Sequence, residues 1–132
     1  MITVTGATGQ LGRLVIDELL ARGVPATGIV AIVRMPAYAA DLAERGVNVR
    51  QADYSEPQSL GPALEGTKRL LFVSSSAVGE RVEQHRNVIE AAVDASVDSI
   101  AYTSVLHADT SGLGLAADHA ATEALLDKAG LP

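Results

Sequence analysis

Three glycines constrain this chain more than any other feature. Gly6, Gly9 and Gly12 stand three apart, just after a short apolar run (1–5, MITVT) and just before QLGRLVIDELLAR (10–22). The first run reads as a strand. The second places Leu11, Leu14, Val15, Leu19 and Leu20 at helical spacing, with Gly23 as a stop. A strand that turns through glycines into an amphipathic helix is the opening of a βαβ unit, and the rest of the chain repeats that alternation.

GIVAIVR (28–34) is almost continuously apolar, as a strand buried on both faces must be. Pro36 suits the first turn of a helix over 37–45, which Gly46 ends. A third strand is expected over 47–53. A weak helix follows over 56–66, interrupted at Gly61-Pro62. KRLLFVSS (68–75) is a fourth strand. A long helix over 78–96 turns Val82, Val88, Ile89, Ala92 and Val93 inward. A fifth strand (97–104) and a last helix (113–130) complete the pattern. Five strands alternating with helices predict an α/β fold: a doubly wound Rossmann sheet in the order 3-2-1-4-5, helices on both faces, in one domain over 1–132.

Composition narrows the function. Hydrophobic residues make up 48% and aromatics 3%, so Ala, Val, Leu and Ile fill the core. The net charge is −6 with no basic block, which argues against nucleic acid as a partner. There is no cysteine, and no His/Asp/Glu spacing makes a metal site. No apolar run has the length of a membrane span, and the first strand begins at Met1, where a signal peptide would stand. The expectation is a cytoplasmic protein.

A helix N-terminus offers free amides and a partial positive charge, which suit the pyrophosphate of a dinucleotide. Gly6 would allow the turn out of the strand, Gly9 would leave room for phosphate, and Gly12 would bring the helix close to the sheet. The end of the second strand reads AIVRMP, and no acidic residue falls between 28 and 40. Arg34 therefore suits the 2′-phosphate of NADP(H) over the bare ribose of NAD. Asp53, closing the third strand, meets adenine or simply forms a turn. Ser74, Ser75 and Ser76 close the fourth strand and Ser104 the fifth, offering small hydroxyls to a ligand.

TGATGQLG, IVAIVR, VRQADY, LLFVSSS, QHRNVIEAA and IAYTSVLHADTS together resemble the NmrA-like atypical short-chain dehydrogenases, most nearly their NAD(P)H:quinone oxidoreductase type 2 branch. The stretch TSVLHADTSGLGLAADH carries the branch resemblance. The resemblance implies cofactor contacts from Gly6, Ala7, Thr8, Gly9, Gln10 and Leu11, from Arg34, and from Ser74 to Ser76. It implies hydride transfer from NADPH to a small molecule, a quinone.

The sequence departs from related enzymes in two ways. Many short-chain dehydrogenases carry a Tyr-x-x-x-Lys pair, whereas here His119 and Glu123 occupy the corresponding place. His119 could donate a proton, with Glu123 one turn on raising its pKa. The plainer expectation is a solvent-facing pair without chemistry. His107 lies beyond the fifth strand near the expected nicotinamide edge, and His85 reads as structural. The chain also ends at KAGLP, where the resembling family runs on into a sixth strand and a substrate domain. The fifth strand is then expected to be an exposed edge prone to self-association. The alternative to a quinone reductase is a non-catalytic NmrA-like redox sensor that binds NADP(H) and reports to a protein partner.

Overall fold

The computed structural model describes residues 1–77, 79–105, 107–108 and 115–132. Five parallel strands form one sheet: β1 (Ile2–Val4), β2 (Ile29–Val33), β3 (Asn48–Gln51), β4 (Arg69–Phe72) and β5 (Ser99–Tyr102). Their order is β3-β2-β1-β4-β5, as predicted. Val4 pairs with Ala31 on one side and Leu71 on the other, which makes β1 the central strand. The chain leaves β1 toward β2 and later returns to β4 on the opposite side. The gap between the C-terminal ends of β1 and β4 is therefore the switch point where such sheets bind ligands.

The helices are α1 (Gln10–Ala21), α2 (Ala40–Glu44), α3 (Pro57–Leu64), α4 (Arg81–Asp94) and α5 (Ala116–Ala129), with short 3-10 turns at Ala26–Gly28 and Pro36–Ala39. β2 is buried along its whole length and feeds two cores. Ile29, Ala31 and Val33 pack with Ile16 of α1 and Leu42 of α2. Val30 and Ile32 pack with Leu60 and Leu64 of α3 and Val88, Ile89 and Ala92 of α4. Burying each of these Val, Leu and Ile side chains stabilises the fold by roughly 2 kcal/mol.

Several expectations are corrected. On α1, Leu11 and Leu14 are exposed, and the inward positions are Gly12 and Ile16. Val15, Leu19 and Leu20 do pack against the core as expected, and only the start of the helix differs, where the close approach of Gly12 to the preceding loop puts Gly12 inward in place of Leu11. On α4, Val93 is exposed, and the inner face is completed by Arg81 and His85. The helix expected over 37–45 is a 3-10 turn followed by the short α2. α3 runs unbroken through Pro62. Gln58 and Pro62 are both exposed, so the position where proline cannot donate its ladder bond lies on the solvent side of the helix. Arg50 Nη1 also secures the end of α3, donating to the carbonyls of Ala63 (3.0 Å) and Glu65 (2.7 Å). The expected helix starts at 78 and 113–114 lie outside the described residues. β5 is the sheet edge, but its Ile100 amide donates to the Pro132 carbonyl at 2.8 Å, so the chain's own residue 132 takes one edge donor.

Aromatic rings line up beneath the β1/β4 gap. Tyr54 stands edge-on to Phe72 (5.6 Å between centroids), Phe72 lies against Tyr102 (5.1 Å), and Tyr102 against His119 (5.7 Å). His85 packs edge-on against Phe72 at 4.9 Å.

Candidate functional site

The C-terminal ends of the strands open into a cleft of about 470 Å³. Its lining brings together Gly6, Thr8 and Gly9 from the glycine loop, Arg34 from the end of β2, Asp53 from beyond β3, and Ser74 to Ser76 from beyond β4. Ala7 is fully buried under the loop, while Gln10 and Leu11 are exposed on the first turn of α1. Ser104, His107 and His119 do not line this cleft. Met35, Tyr38, Tyr54, Ala77 and Gln84 do, and the sequence reading missed them. Met35 and Tyr38 are solvent-exposed apolar side chains flanking Arg34, an order that could have marked a rim.

The glycine loop is built by backbone demands. Gly6 adopts φ +59, a left-handed conformation that side chains resist. A Cβ on Gly12 would lie 2.7 Å from Ala7 Cα and closer still to the Gly6 carbonyl oxygen. No side chain caps α1 at Gly9, and the first turn holds no acidic residue. The opening amides of α1 thus keep their hydrogen-bonding capacity and the positive end of the helix dipole. This is the arrangement an anion requires.

Arg34 is exposed at the mouth, and among the described residues its guanidinium makes no hydrogen bond or ion pair. Asp53 forms the turn that was one of the two readings the sequence left open, and it does so at the edge of the cleft. It lines the cleft, and its Oδ1 accepts from the amide (2.9 Å) and hydroxyl (2.7 Å) of Ser55 in a turn. Those bonds, with the nearby Arg34 charge, hold its carboxyl below the usual range against the opposing effect of burial. Tyr54 closes the floor: its hydroxyl reaches Thr5 Oγ1 (2.5 Å) and donates to the Val73 carbonyl (2.6 Å), tying the ends of β1 and β4 together.

The serine segment is held from behind. Ser74 N–H donates to Thr103 Oγ1 (2.7 Å), and Ser75 N–H donates to Nε2 of the fully buried His85 (2.8 Å). His85 Nδ1 meets Thr122 Oγ1 at 2.8 Å, while the Thr122 hydroxyl donates to the Asp118 carbonyl. Thr122 has only one proton, so His85 Nδ1 carries the hydrogen and Nε2 accepts. Burial first, then the charges of His119 and Arg81, hold the His85 pKa at about 4, against a smaller opposing pull from Asp118.

His119 and Glu123 do not form the pair the sequence offered, and His119 does not face solvent. His119 is buried, and its Nδ1 meets the Tyr102 hydroxyl at 2.5 Å. Glu123 accepts instead from Ser104 Oγ at 2.6 Å. Burial, then Arg81, pulls the His119 pKa below its usual value and outweighs Asp118 and Glu123. Ser104 is likewise taken up by that bond. His107 sits in an exposed turn with φ +52. Part of the stretch TSVLHADTSGLGLAADH, residues 106 and 109–114, lies outside the described residues.

A pH effect follows from His85. Its folded pKa lies below the ordinary imidazole value, so the unfolded chain binds the extra proton first as pH falls. Stability is therefore full above the unfolded pKa and is lost as pH falls from there toward 4. Between pH 7 and pH 5 the loss should be about 2 kcal/mol, read by urea unfolding at the two values. A flat profile would remove the neutral, buried His85 from this account.

Comparison with known proteins agrees with the geometry. A family model described as NAD(P)H-binding matches residues 6–131. Quinone oxidoreductase 2 of Escherichia coli is 58% identical over 99% of this chain and 46% of its own length. An NmrA-like family domain-containing oxidoreductase of Aspergillus flavus is 37% identical over 97% of this chain and 44% of its own. Among solved structures, the NADPH complex of the E. coli NADPH-dependent quinone oxidoreductase superposes with a TM-score of 0.95, over 99% of this chain and 46% of that one. The NADP(H) complex of a Citrobacter triphenylmethane reductase does so with a TM-score of 0.96 at 47% identity, over 100% of this chain and 47% of that one. The chain thus spans about half the length of the relatives it matches.

Proposed function

Because the chain belongs to the NAD(P)H-binding, NmrA-like family, we propose that its cleft holds NADPH and that it forms the cofactor-binding part of an NADPH-dependent quinone reductase. The observation that carries this reading is an uncapped α1 N-terminus facing, across one cleft, an Arg34 guanidinium that makes no hydrogen bond or ion pair among the described residues. The amides of α1 would take the pyrophosphate, with Gly9 leaving its approach open. Arg34 would take the 2′-phosphate, and Met35 and Tyr38 would flank the adenosine end. Asp53, already bonded to Ser55, offers its second carboxylate oxygen at the same end.

When bound, NADPH supplies the hydride. The chain's residues bind, orient and exclude water. Among the described residues that line the cleft, none is a histidine or lysine poised to donate a proton. His119 is committed to Tyr102 and His85 to Ser75. This suits a quinone acceptor, whose reduced oxygens can take protons from water. It also suits the second reading, a redox sensor that binds NADP(H) without consuming it.

The test is NADPH absorbance in the presence of the chain and a set of simple quinones, beside direct titration with NADPH and NADH. Quinone-dependent loss of NADPH is expected, slow for this chain and faster for a longer protein carrying the second half present in the relatives. Tight binding with no consumption by either protein would replace the reductase with the sensor.

A further inference from the structure

Three side chains of α4 converge on one residue of the cleft wall. Arg81, Gln84 and His85 share a helix face, being three and four apart. His85 Nε2 accepts from the Ser75 amide at 2.8 Å. Arg81 Nε donates to the Ser75 carbonyl at 2.7 Å. Gln84 Oε1 accepts from the Ser75 hydroxyl, which itself accepts from the Ala77 amide at 3.0 Å. Every polar group of Ser75 is thus taken by the protein.

The clamp is anchored in turn. Arg81 is 8% exposed and pairs with Asp118 of α5 at 3.0 Å. His85 is bonded to Thr122 of α5 and fixed in one tautomer by the direction of the Thr122 proton. A buried imidazole and a buried guanidinium are poor choices for packing alone, because apolar side chains would fill the same space without a desolvation penalty. Their common target is what distinguishes them.

We propose that Arg81, Gln84 and His85 are positioning residues that clamp Ser75, so that Ser74 and Ser76 on either side meet the cofactor in a fixed geometry. Ser75 is then the anchor of the wall and not a ligand contact. The inference rests on the reading of the cleft as an NADPH site.

The test compares His85→Leu, which keeps the volume and removes the acceptor, with His85→Gln, whose amide can both accept from Ser75 and donate to Thr122. Two quantities are read: hydrogen exchange at the Ser75 amide, and NADPH affinity by titration. His85→Leu should speed exchange at Ser75 and weaken NADPH binding about tenfold, the effect of one buried hydrogen bond, while His85→Gln stays within about threefold of the parent. Faster exchange with unchanged affinity would overturn the positioning role, as would an equal loss in Leu and Gln. If His85→Leu does not fold, Arg81→Met carries the same test at the Ser75 carbonyl, and unchanged exchange and affinity there would overturn the clamp. Failure of the parent chain to bind NADPH would instead refute the cofactor reading and the positioning role together, and Ser75 exchange would then decide the clamp alone.

Discussion

Gly12→Ala is expected to destabilise the chain by about 3 kcal/mol and to abolish measurable NADPH binding. Helix propensity alone says the opposite, since alanine in a helix interior is favoured over glycine by about 1 kcal/mol. Sterics decide the sign. The added methyl would meet backbone atoms, the Gly6 carbonyl and Ala7 Cα, which cannot swing aside as a side chain could. Relief requires α1 to lift from the loop, and that lift moves the amides that would bind the pyrophosphate. Urea unfolding and NADPH titration of the variant test both parts. Gly9→Ala provides the contrast: its Cβ would approach only the Gly6 carbonyl, at 3.2 Å, so a smaller loss of stability is expected. A stabilised Gly12→Ala would show that helix propensity outweighs the close approach.

Arg34→Glu is expected to weaken NADPH about a hundredfold and to leave NADH within a few-fold of its parent value. A charge-assisted bidentate contact accounts for about 2 kcal/mol of this, and the reversed charge adds repulsion against the 2′-phosphate. The effect should shrink as salt is raised, because Arg34 is exposed. Parallel titrations with the two cofactors give the answer. An equal loss for both would make Arg34 a general electrostatic contributor and remove it as the selector of the phosphate.

The strand order was readable because the strands are short apolar or alternating segments set between helices, and right-handed crossovers leave few topologies. β2 is the clearest example, buried from Ile29 to Val33 as its continuous apolar run required. The strands came out shorter than expected at their C-terminal ends. Residues after Phe72 leave the ladder to build the cleft wall, where Thr103 and His85, from elsewhere in the chain, take up the amides of Ser74 and Ser75. Of the cleft, the glycine loop, Arg34, Asp53 and the serines were legible, because loop chemistry at strand ends is local. Tyr54 and Gln84 were not, since their roles come from partners in other elements. His119 failed for the same reason. Its neighbour at i+4 is Glu123, but tertiary packing gives it Tyr102 and gives Glu123 to Ser104.

The row of rings under the β1/β4 gap makes the chain its own optical probe. There is no tryptophan, and the chromophores are Tyr38, Tyr54, Tyr102 and a single phenylalanine, Phe72. Tyr38 is 64% exposed at the rim, so asymmetric packing of tyrosine is concentrated at Tyr54 and Tyr102, on either side of Phe72. Near-ultraviolet circular dichroism of the unlabelled protein therefore watches the floor of the cleft, while quenching of Tyr38 emission watches its mouth.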